Sequence, residues 1–294
     1  MSLILEYTVN TNDHGRLLGD FLKQQALSKK GIIALKHRGG KISVNGECRS
    51  TRWQLHSNDL VRIMFPNEIP SRHLKPIKMD FSIVYEDDFL LVVDKKEGVL
   101  VMPTGNHDKA LANGILAYYE EIGLKSTVHF VNRLDRGTSG LLIVAKYRHI
   151  HHLMMTDLAR ITREYYALVT GTLQGKGRVE APIFRPTMDS IQRIVHEAGQ
   201  HAITHYETIQ TFGESTLIKC TLETGRTHQI RVHMHHLGHP ILKDSIYGDG
   251  ITTDMQLLHS YYLAFNHPIT HERLCFETKI PSRFGTKDLA KNCL

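Results

Sequence analysis

The order of strand-length apolar runs after residue 80 constrains the fold more than any other feature. FLLVV, GLLIVA and EYYALVTG are each long enough for a β-strand and too short to cross a membrane as a helix. Several such runs follow one another with no helical pattern between them, which argues against a regular parallel α/β sheet. We therefore predict an α+β domain over residues 80–294 and no membrane-spanning segment.

The first 79 residues carry the whole of the chain's excess positive charge. They hold 13 Lys and Arg against 6 Asp and Glu, a difference of +7, whereas the remaining 23 and 24 give −1. Helical patterns over 16–27 and 29–39 and an Asn45-Gly46 hairpin turn indicate a small α/β domain over residues 1–68. The non-periodic stretch 69–79 is predicted to be a linker. A basic domain joined to a near-neutral one is typical of proteins that bind a polyanion.

Cysteine and histidine positions do not form the pattern of a disulfide framework or a strong metal motif. His235 and His239 have the i, i+4 spacing of a helical metal pair, but Gly238 is expected to end that helix and no HExxH motif accompanies them. A metal-dependent hydrolase is thus an alternative, and a metal-free protein is the expectation. The cysteines lack CxxC pairing, so we expect reduced thiols in a cytoplasmic protein. They are Cys48, Cys220, Cys275 and Cys293.

One carboxylate occupies an unusual position in the segment RLDRGTSG. Asp135 lies between two arginines in a glycine-containing turn, where Thr138 can bond to local backbone groups. The turn leads directly into GLLIVA, so the carboxylate is expected to be partly desolvated and to need a cation. Arg226, at the corner between the strand CTLET and the helical stretch THQIRVHMHHL, is the candidate cation. A turn-capping role is the alternative for Asp135.

Adjacent tyrosines occur in the predicted strand TREYYALVTG. Because side chains alternate along a strand, one of Tyr165 and Tyr166 faces the core and the other faces outward or lines a cleft. A tyrosine on the floor of a cleft can stack on a nucleobase. The pair alone does not indicate which tyrosine would do so.

Five stretches, taken in order, resemble the RluA family of pseudouridine synthases. They are IVYEDDFLLVVDKKEGVLVMP, VNRLDRGTSGLLIVAK, REYYALVTG, LETGRTHQIRVHMHHLGHPI and LLHSYYLAFNHP. The likeness covers nearly all of residues 80–294, and residues 13–65 resemble an S-four-type RNA-binding module. The resemblance implies a pseudouridine synthase fold with a central mixed, largely antiparallel sheet flanked by helices. It also implies an enzyme that isomerises uridines in RNA without a cofactor or metal.

The resemblance further implies roles for individual residues. Asp135 would be the nucleophile, and Arg226 would keep it ionised. Tyr165 would stack on the uracil of a flipped-out uridine and help to remove the proton from its carbon five, while Tyr166 would face the core. Arg133 would occupy the space that the base leaves in the RNA. The remaining substrate-binding residues would be Asn132, Thr138 and Leu222.

RNA is the partner that the resemblance implies, with ribosomal RNA favoured and transfer RNA possible. Asn132 and Met102 replace common histidines of the family, which we expect to affect the choice of RNA site more than the chemistry. A monomer is the expectation, and a catalytically retired RNA-binding protein is the alternative to an enzyme. The residues expected to contact phosphates are Lys29, Lys30, Lys36 and Arg38.

Overall fold

The computed structural model of the chain describes residues 2–104, 109–248 and 255–285. The first four strands are β1 Ile4–Thr8, β2 Lys41–Val44, β3 Glu47–Cys48 and β4 Leu60–Met64. They form an antiparallel sheet in the order β1-β4-β2-β3. Two helices share a small core with this sheet, α1 Leu18–Gln24 and α2 Lys29–His37. Both helices and the hairpin lie where the sequence predicts them, whereas β1 was not predicted.

The turn between β2 and β3 has the backbone that its dipeptide predicts. Asn45 and Gly46 have φ values of 51° and 86°, the two positive values that a type I′ turn requires. The Asn45 side chain donates to Asp59 at 2.8 Å and accepts from the Leu60 N–H at 2.8 Å. The turn is therefore fixed to the start of β4.

Most later strands belong to one large sheet, and two short ones pair only with each other. The strands are β5 Ser82–Glu86, β6 Leu90–Lys95, β7 His129–Phe130, β8 Ser139–Ala145, β9 Thr162–Thr170, β10 Lys176–Glu180, β11 Ile183–Phe184, β12 Ile194–Val195, β13 Ile203–Phe212, β14 Ser215–Leu222, β15 Leu258–Asn266 and β16 Arg273–Glu277. The large sheet has the order β10-β13-β14-β9-β15-β8-β6-β5, with β7 beside β8 and β16 beside β15. Its strands pair antiparallel except for β8 with β15, which confirms the predicted α+β fold with a mixed, largely antiparallel sheet.

Three further helices pack on the large sheet or at its end. They are α3 Leu111–Glu121, α4 Arg148–Thr156 and α5 Gln229–His236. Short 3-10 turns occur at Thr11–Asp13, Leu158–Arg160 and Ser282–Phe284. Helix α5 begins two residues after the predicted start at Thr227, and residues Gln229 to Met234 are all buried. No helix among the described residues combines the length and apolar content needed to span a membrane.

Strand β8 lies at the centre of the core and is buried at every position. Its continuous apolar run is explained by cover on both faces, because residues of α3 and α4 belong to the same hydrophobic cluster. Gly140 in this strand has a φ of +110°, and a Cβ there would lie 2.2 Å from the Ser260 carbonyl oxygen. Only glycine therefore permits the parallel pairing of β8 with β15 at this point.

The segment between the two sheets makes specific contacts despite its lack of helix or strand. The Glu68 carboxylate accepts from the Arg148 N–H at the start of α4 and contacts His129 Nε2, each at 2.6 Å. Leu74 is buried in the main core, and Asn113 donates to the Lys75 carbonyl at 2.8 Å. The boundaries at 1–68, 69–79 and 80–294 remain predictions from composition.

Candidate active site

A cleft of about 1130 Å³ opens where the ends of β9 and β14 meet α5 and the segment 131–138. This volume exceeds the roughly 300–1,000 Å³ of small-molecule sites, so the cleft can hold a polymer segment. Its walls include all seven residues that the sequence predicts for catalysis or substrate binding. They are Asn132, Arg133, Asp135, Thr138, Tyr165, Leu222 and Arg226.

The turn that carries Asp135 is held from both sides by hydrogen bonds. The Thr138 N–H donates to the Asp135 carbonyl at 3.1 Å, and the Gly98 N–H donates to the Arg136 carbonyl at 2.9 Å. The Thr138 hydroxyl accepts from Gln256 Nε2 at 2.9 Å. The carboxylate, with a side chain 28% exposed, is thus presented on a fixed backbone rather than on a mobile loop.

Asn132 forms the inner end of this turn. Its Oδ1 accepts from the Ile143 N–H at 2.8 Å, which fixes the turn to β8. Its Nδ2 is buried without a hydrogen-bond partner among the described residues. The structure therefore gives this residue a contact with the sheet and leaves one donor for another group.

A buried lysine supports the turn from below. Lys95 is 1% exposed, and its ammonium donates to the carbonyls of Lys96, Val99 and Arg136 at 3.0, 2.9 and 3.1 Å. Burial lowers the pKa of Lys95 to about 7, although nearby Asp135 and Glu97 favour the charged form. The three carbonyls use all three donors of the ammonium and connect β6 to the turn.

Arg231 on α5 is the cation that contacts Asp135. Its Nη1 donates to Asp135 Oδ2 at 2.9 Å. Its Nε and Nη2 donate to the two oxygens of Asp244, each at 2.7 Å. One guanidinium therefore joins the partly exposed carboxylate of Asp135 to the buried one of Asp244, which it contacts in the bidentate geometry that arginine favours.

The prediction that Arg226 is the ion-pair partner of Asp135 is wrong. Arg226 is exposed, and its Nε donates to the His201 carbonyl at 3.0 Å. It precedes the first turn of α5, whereas Arg231 lies within the buried part of the helix. Arg226 stays in the cleft as a second cation, available to substrate.

The charges in this network stabilise one another. Burial alone would lower the pKa of Arg231, but the two carboxylates raise it above its ordinary value. Burial alone would raise the pKa of Asp244, but Arg231 and the N–H groups of Ile246 and Tyr247 hold it below the usual range. Arg231 is therefore always charged at neutral pH, and Asp135 always faces a cation.

Tyr165 and Tyr166 lie on opposite faces of β9. Tyr165 is buried at the cleft floor, and burial raises the pKa of its hydroxyl above the ordinary value of 10. Tyr166 stacks on Tyr261 with ring centroids 3.9 Å apart and packs against a small hydrophobic cluster. Tyr165 is therefore the tyrosine that faces the cleft.

The rim of the cleft combines charge with apolar surface. Arg133 is exposed beside Asp135, and Leu222 lies half-buried at the end of β14. Met102 also lines the cleft and is 39% exposed, and Ile191, from the β11–β12 connection, is 72% exposed. The rim thus presents a planar cation and several apolar side chains to any group that enters.

The basic residues of the N-terminal sheet region lie elsewhere. Lys30 and Arg38 are exposed at the two ends of α2, and Lys36 donates to the Thr51 hydroxyl at 3.0 Å. The side chain of Lys29 lies outside the described part of the structure. These residues do not line the cleft, so any RNA contact they make is separate from the contacts of Asp135.

Four functional candidates in the cleft region were missed by the sequence reasoning. Arg231 carried a signal, because an arginine inside a buried helical stretch needs a carboxylate. Lys95 carried a similar signal at the end of an apolar strand. Asp244 and His228 lie in loop or cap positions, where sequence spacing does not show their distance from Asp135. No group of three potential metal ligands occurs within residues 2–104, 109–248 and 255–285.

Comparison with known proteins identifies the family of this chain. The model of the family described as RNA pseudouridylate synthase matches residues 89–236. An uncharacterized RNA pseudouridine synthase of Bacillus subtilis, YjbO, is 38% identical over 89% of this chain and 94% of its own length. Ribosomal large subunit pseudouridine synthase D of Vibrio cholerae is 36% identical over 85% of this chain and 83% of its own length.

Solved structures show the same fold. Human RNA pseudouridylate synthase domain containing 4 aligns with a TM-score of 0.58 at 21% identity, over 69% of this chain and 90% of that one. Human RNA pseudouridylate synthase domain containing 1 aligns with a TM-score of 0.57 at 24% identity, over 68% of this chain and 83% of that one. Because the family model matches half of the chain and the relatives align over most of it, the chain belongs to the RNA pseudouridylate synthase family and is a pseudouridine synthase.

Proposed function

We propose that this enzyme converts specific uridines of a structured RNA to pseudouridine, with Asp135 as the nucleophile. The contact of Asp135 with Arg231 inside the cleft carries this proposal, because it places a carboxylate paired with a cation beside the space for substrate. A fixed turn and a permanent cation give the carboxylate one orientation before substrate binds. The turn-capping alternative explains neither the cleft nor the cation.

The reaction exchanges one glycosidic bond for another. The bond from the sugar C1′ to N1 of uracil breaks, the base rotates, and a bond forms from C1′ to C5. The proton on C5 is lost and N1 gains one, so the net change is an isomerisation that needs no oxidant, reductant or co-reactant.

The other cleft residues would hold the flipped-out nucleotide. The Tyr165 ring would stack on the uracil, and its raised pKa favours a stacking and hydrogen-bonding role over that of a phenolate base at neutral pH. Leu222 would pack against the base edge, while Arg133 would fill the space left in the RNA. Asn132 Nδ2 and the Thr138 turn would contact the nucleotide or its phosphates.

Large-subunit ribosomal RNA is the substrate that we favour, because relatives such as the Vibrio cholerae enzyme are named for it. Transfer RNA is the alternative substrate. The exposed basic surface around α2 would bind RNA phosphates outside the target site, through Lys30, Lys36 and Arg38, with Lys29 as a further candidate. We further propose that the enzyme acts as a monomer in the cytoplasm, without a metal.

The experiment maps pseudouridines in all stable RNAs of cells that have the gene, lack it, or carry a variant. Asp135→Asn should leave the sites of the deletion strain unmodified, with a loss of at least about a thousandfold in the purified enzyme. Asp88→Asn is the matched control, since this exposed aspartate lies outside the cleft. Full modification by the Asp135→Asn variant would show that another group is the nucleophile.

A further inference from the structure

His228 occupies a strained position beside Asp135. It precedes α5 with a φ of 59° and a ψ of 20°, the left-handed conformation that residues other than glycine adopt infrequently. Its side chain is 10% exposed and forms part of the cleft wall. Such backbone strain persists where surrounding contacts fix it, and it is often found at functional sites.

A chain of hydrogen bonds determines which ring nitrogen of His228 carries the proton. The Arg193 N–H donates to the Tyr247 hydroxyl oxygen at 2.7 Å, and an amide N–H cannot accept in return. Tyr247 is 2% exposed, so its own hydroxyl proton needs an acceptor. Among the described residues, His228 Nδ1, at 2.9 Å, is the acceptor that the hydroxyl contacts. The proton of the neutral imidazole therefore lies on Nε2.

The charges around His228 favour this neutral form. Burial is the largest influence on the pKa of His228 and lowers it. The nearby carboxylates of Asp135 and, more weakly, Asp244 raise this pKa, whereas Arg231 and Arg193 lower it further. Burial also raises the pKa of Tyr247 to about 12, so its hydroxyl keeps the proton that it donates. At neutral pH the pair thus presents one N–H, on Nε2, to the cleft.

That N–H lies near Asp135 but is too far away for a direct hydrogen bond. Nε2 lies 3.8 Å from Asp135 Oδ2, which is longer than a hydrogen bond. Oδ2 already accepts from Arg231, so Oδ1 is the oxygen left for the reaction. A small group seated against both Nε2 and Oδ2 would have to accept a proton from the imidazole and donate one to the carboxylate.

The chemistry of an internal RNA nucleotide identifies this group. The uracil carbonyls and phosphate oxygens only accept, and the uracil N3–H only donates. The ribose 2′-hydroxyl does both. It is also bonded to C2′, next to the C1′ at which the glycosidic bond is exchanged, so a carboxylate that contacts the hydroxyl lies close to the reacting carbon.

We propose that His228 Nε2 and Asp135 Oδ2 together bind the 2′-hydroxyl of the target uridine, which makes His228 a residue that selects ribose over deoxyribose. The inference rests on the proposed function and names the part of the substrate that this corner of the cleft recognises. Tyr247 acts as a positioning residue, because its hydroxyl sets the tautomer of His228.

The test uses synthetic RNA that spans one uridine mapped as a target, with uridine, 2′-deoxyuridine or 2′-O-methyluridine at that position. Single-turnover rates are measured for the wild type, His228→Asn and His228→Gln. Asparagine tolerates the left-handed backbone and places its amide near Nδ1, so it removes the Nε2 donor, whereas glutamine reaches the Nε2 position. His236→Asn, on the exposed face of α5, is the matched control.

We expect His228→Asn to slow the uridine substrate at least about tenfold and the 2′-deoxyuridine substrate no more than about threefold, as for a lost hydrogen bond between two groups. The ratio of the wild-type rate to the variant rate is taken for each substrate. Comparing these two ratios cancels the different intrinsic reactivity of the deoxynucleotide. His228→Gln should recover part of the loss on uridine, and Tyr247→Phe should give a smaller loss confined to uridine.

Equal slowing of both substrates by His228→Asn would overturn the inference. If the variants fail to fold in a thermal melt, the wild type still decides: turnover of 2′-O-methyluridine, which cannot donate a proton, at the rate of uridine would overturn it as well. Failure of the wild type to modify any mapped uridine would instead count against the proposed function.

Discussion

Arg226 and Arg231 lie five residues apart in one motif, and only Arg231 contacts Asp135. The sequence shows that an arginine of this motif should pair with the acid, but it cannot show which one, because the answer depends on where the helix begins. A start at Gln229 turns Arg231 inward and leaves Arg226 on the surface. The family resemblance predicted Asp135, Tyr165 and Leu222 as site residues, and all three line the cleft at or near the end of a strand.

The difference between the two arginines predicts opposite sensitivities. Arg231→Lys should lower the turnover rate by about a hundredfold or more, because an ammonium cannot reproduce the planar bidentate contact with Asp244 while it also contacts Asp135. Arg226→Lys should change the rate by less than about tenfold, since Arg226 contacts a backbone carbonyl. Turnover of mapped RNA by both variants checks this ordering. A larger loss of turnover for Arg226→Lys than for Arg231→Lys would instead support Arg226 as the partner of Asp135.

The buried Asp244 predicts a dependence of stability on pH. Its pKa is lowered in the folded protein, so its ionised form stabilises the fold above the unfolded value near 3.8, and this stabilisation is lost as the pH falls through the folded value. Asp244→Asn should therefore lower the free energy of unfolding at pH 7, by about 3 kcal/mol as for a broken buried pair. Urea unfolding between pH 3 and pH 7 measures the difference.

That difference between wild type and Asp244→Asn should shrink as the pH falls below about 4, because the carboxyl of unfolded wild type then binds a proton that the folded protein, with its lower pKa, still excludes. Asp88→Asn provides the comparison, since Asp88 is exposed. A difference that stays constant over the whole range would show that Asp244 acts through packing and not through its charge.

At the scale of elements, the segment from β7 to β8 connects the site to the core. The hydrophobic pattern predicted β6, β8, β9, α3 and α4, because long apolar runs or faces define them. The ribbon of β11 and β12 was missed, since two-residue strands have no period to detect. The contacts of Lys95 with three carbonyls were missed for another reason: they depend on the fold bringing residue 136 next to β6.

Gly140 provides a test of this connection. Gly140→Ala should lower the free energy of unfolding by more than about 2 kcal/mol, because the new Cβ would clash with the backbone of β15 and the φ is unfavourable. Gly175→Ala is the control, since its φ is +79° and nothing lies within 4 Å of its Cβ. Thermal and urea unfolding compare the two variants, and equal losses would contradict a specific clash.

At the scale of the whole molecule, the basic N-terminal region and the near-neutral remainder were both evident from the charge distribution. The contact between these two regions was not evident from the sequence. Leu3 and Leu5 of the N-terminal region pack in the main hydrophobic cluster, which the charge distribution does not indicate. Removal of the first residues would therefore disturb the larger core. Exposed charges offer a cleaner test of the RNA-binding prediction.

The triple variant Lys30→Gln, Lys36→Gln and Arg38→Gln should bind RNA more weakly and with a shallower salt dependence. Each lost phosphate contact reduces the slope of log K against log salt by about 0.7 to 0.9. Filter binding of a mapped transcript between 50 and 300 mM salt, roughly the range over which such slopes are measured, determines the change. A variant with Lys176, Arg178 and Lys279 changed to glutamine controls for net charge. An equal slope in both variants would remove α2 from the RNA-binding surface.

The parallel pairing of β8 with β15 has a consequence for folding of the enzyme during its synthesis. Ser139 Oγ meets His259, a partner 120 residues later in the chain. During synthesis, one edge of β8 can pair with β6 early, but its other edge at Ser139 and Gly140 stays unpaired until β15 has been made. We therefore expect the reactive centre to assemble only after β15 has been synthesised, and a nascent chain that lacks this strand to be inactive on RNA.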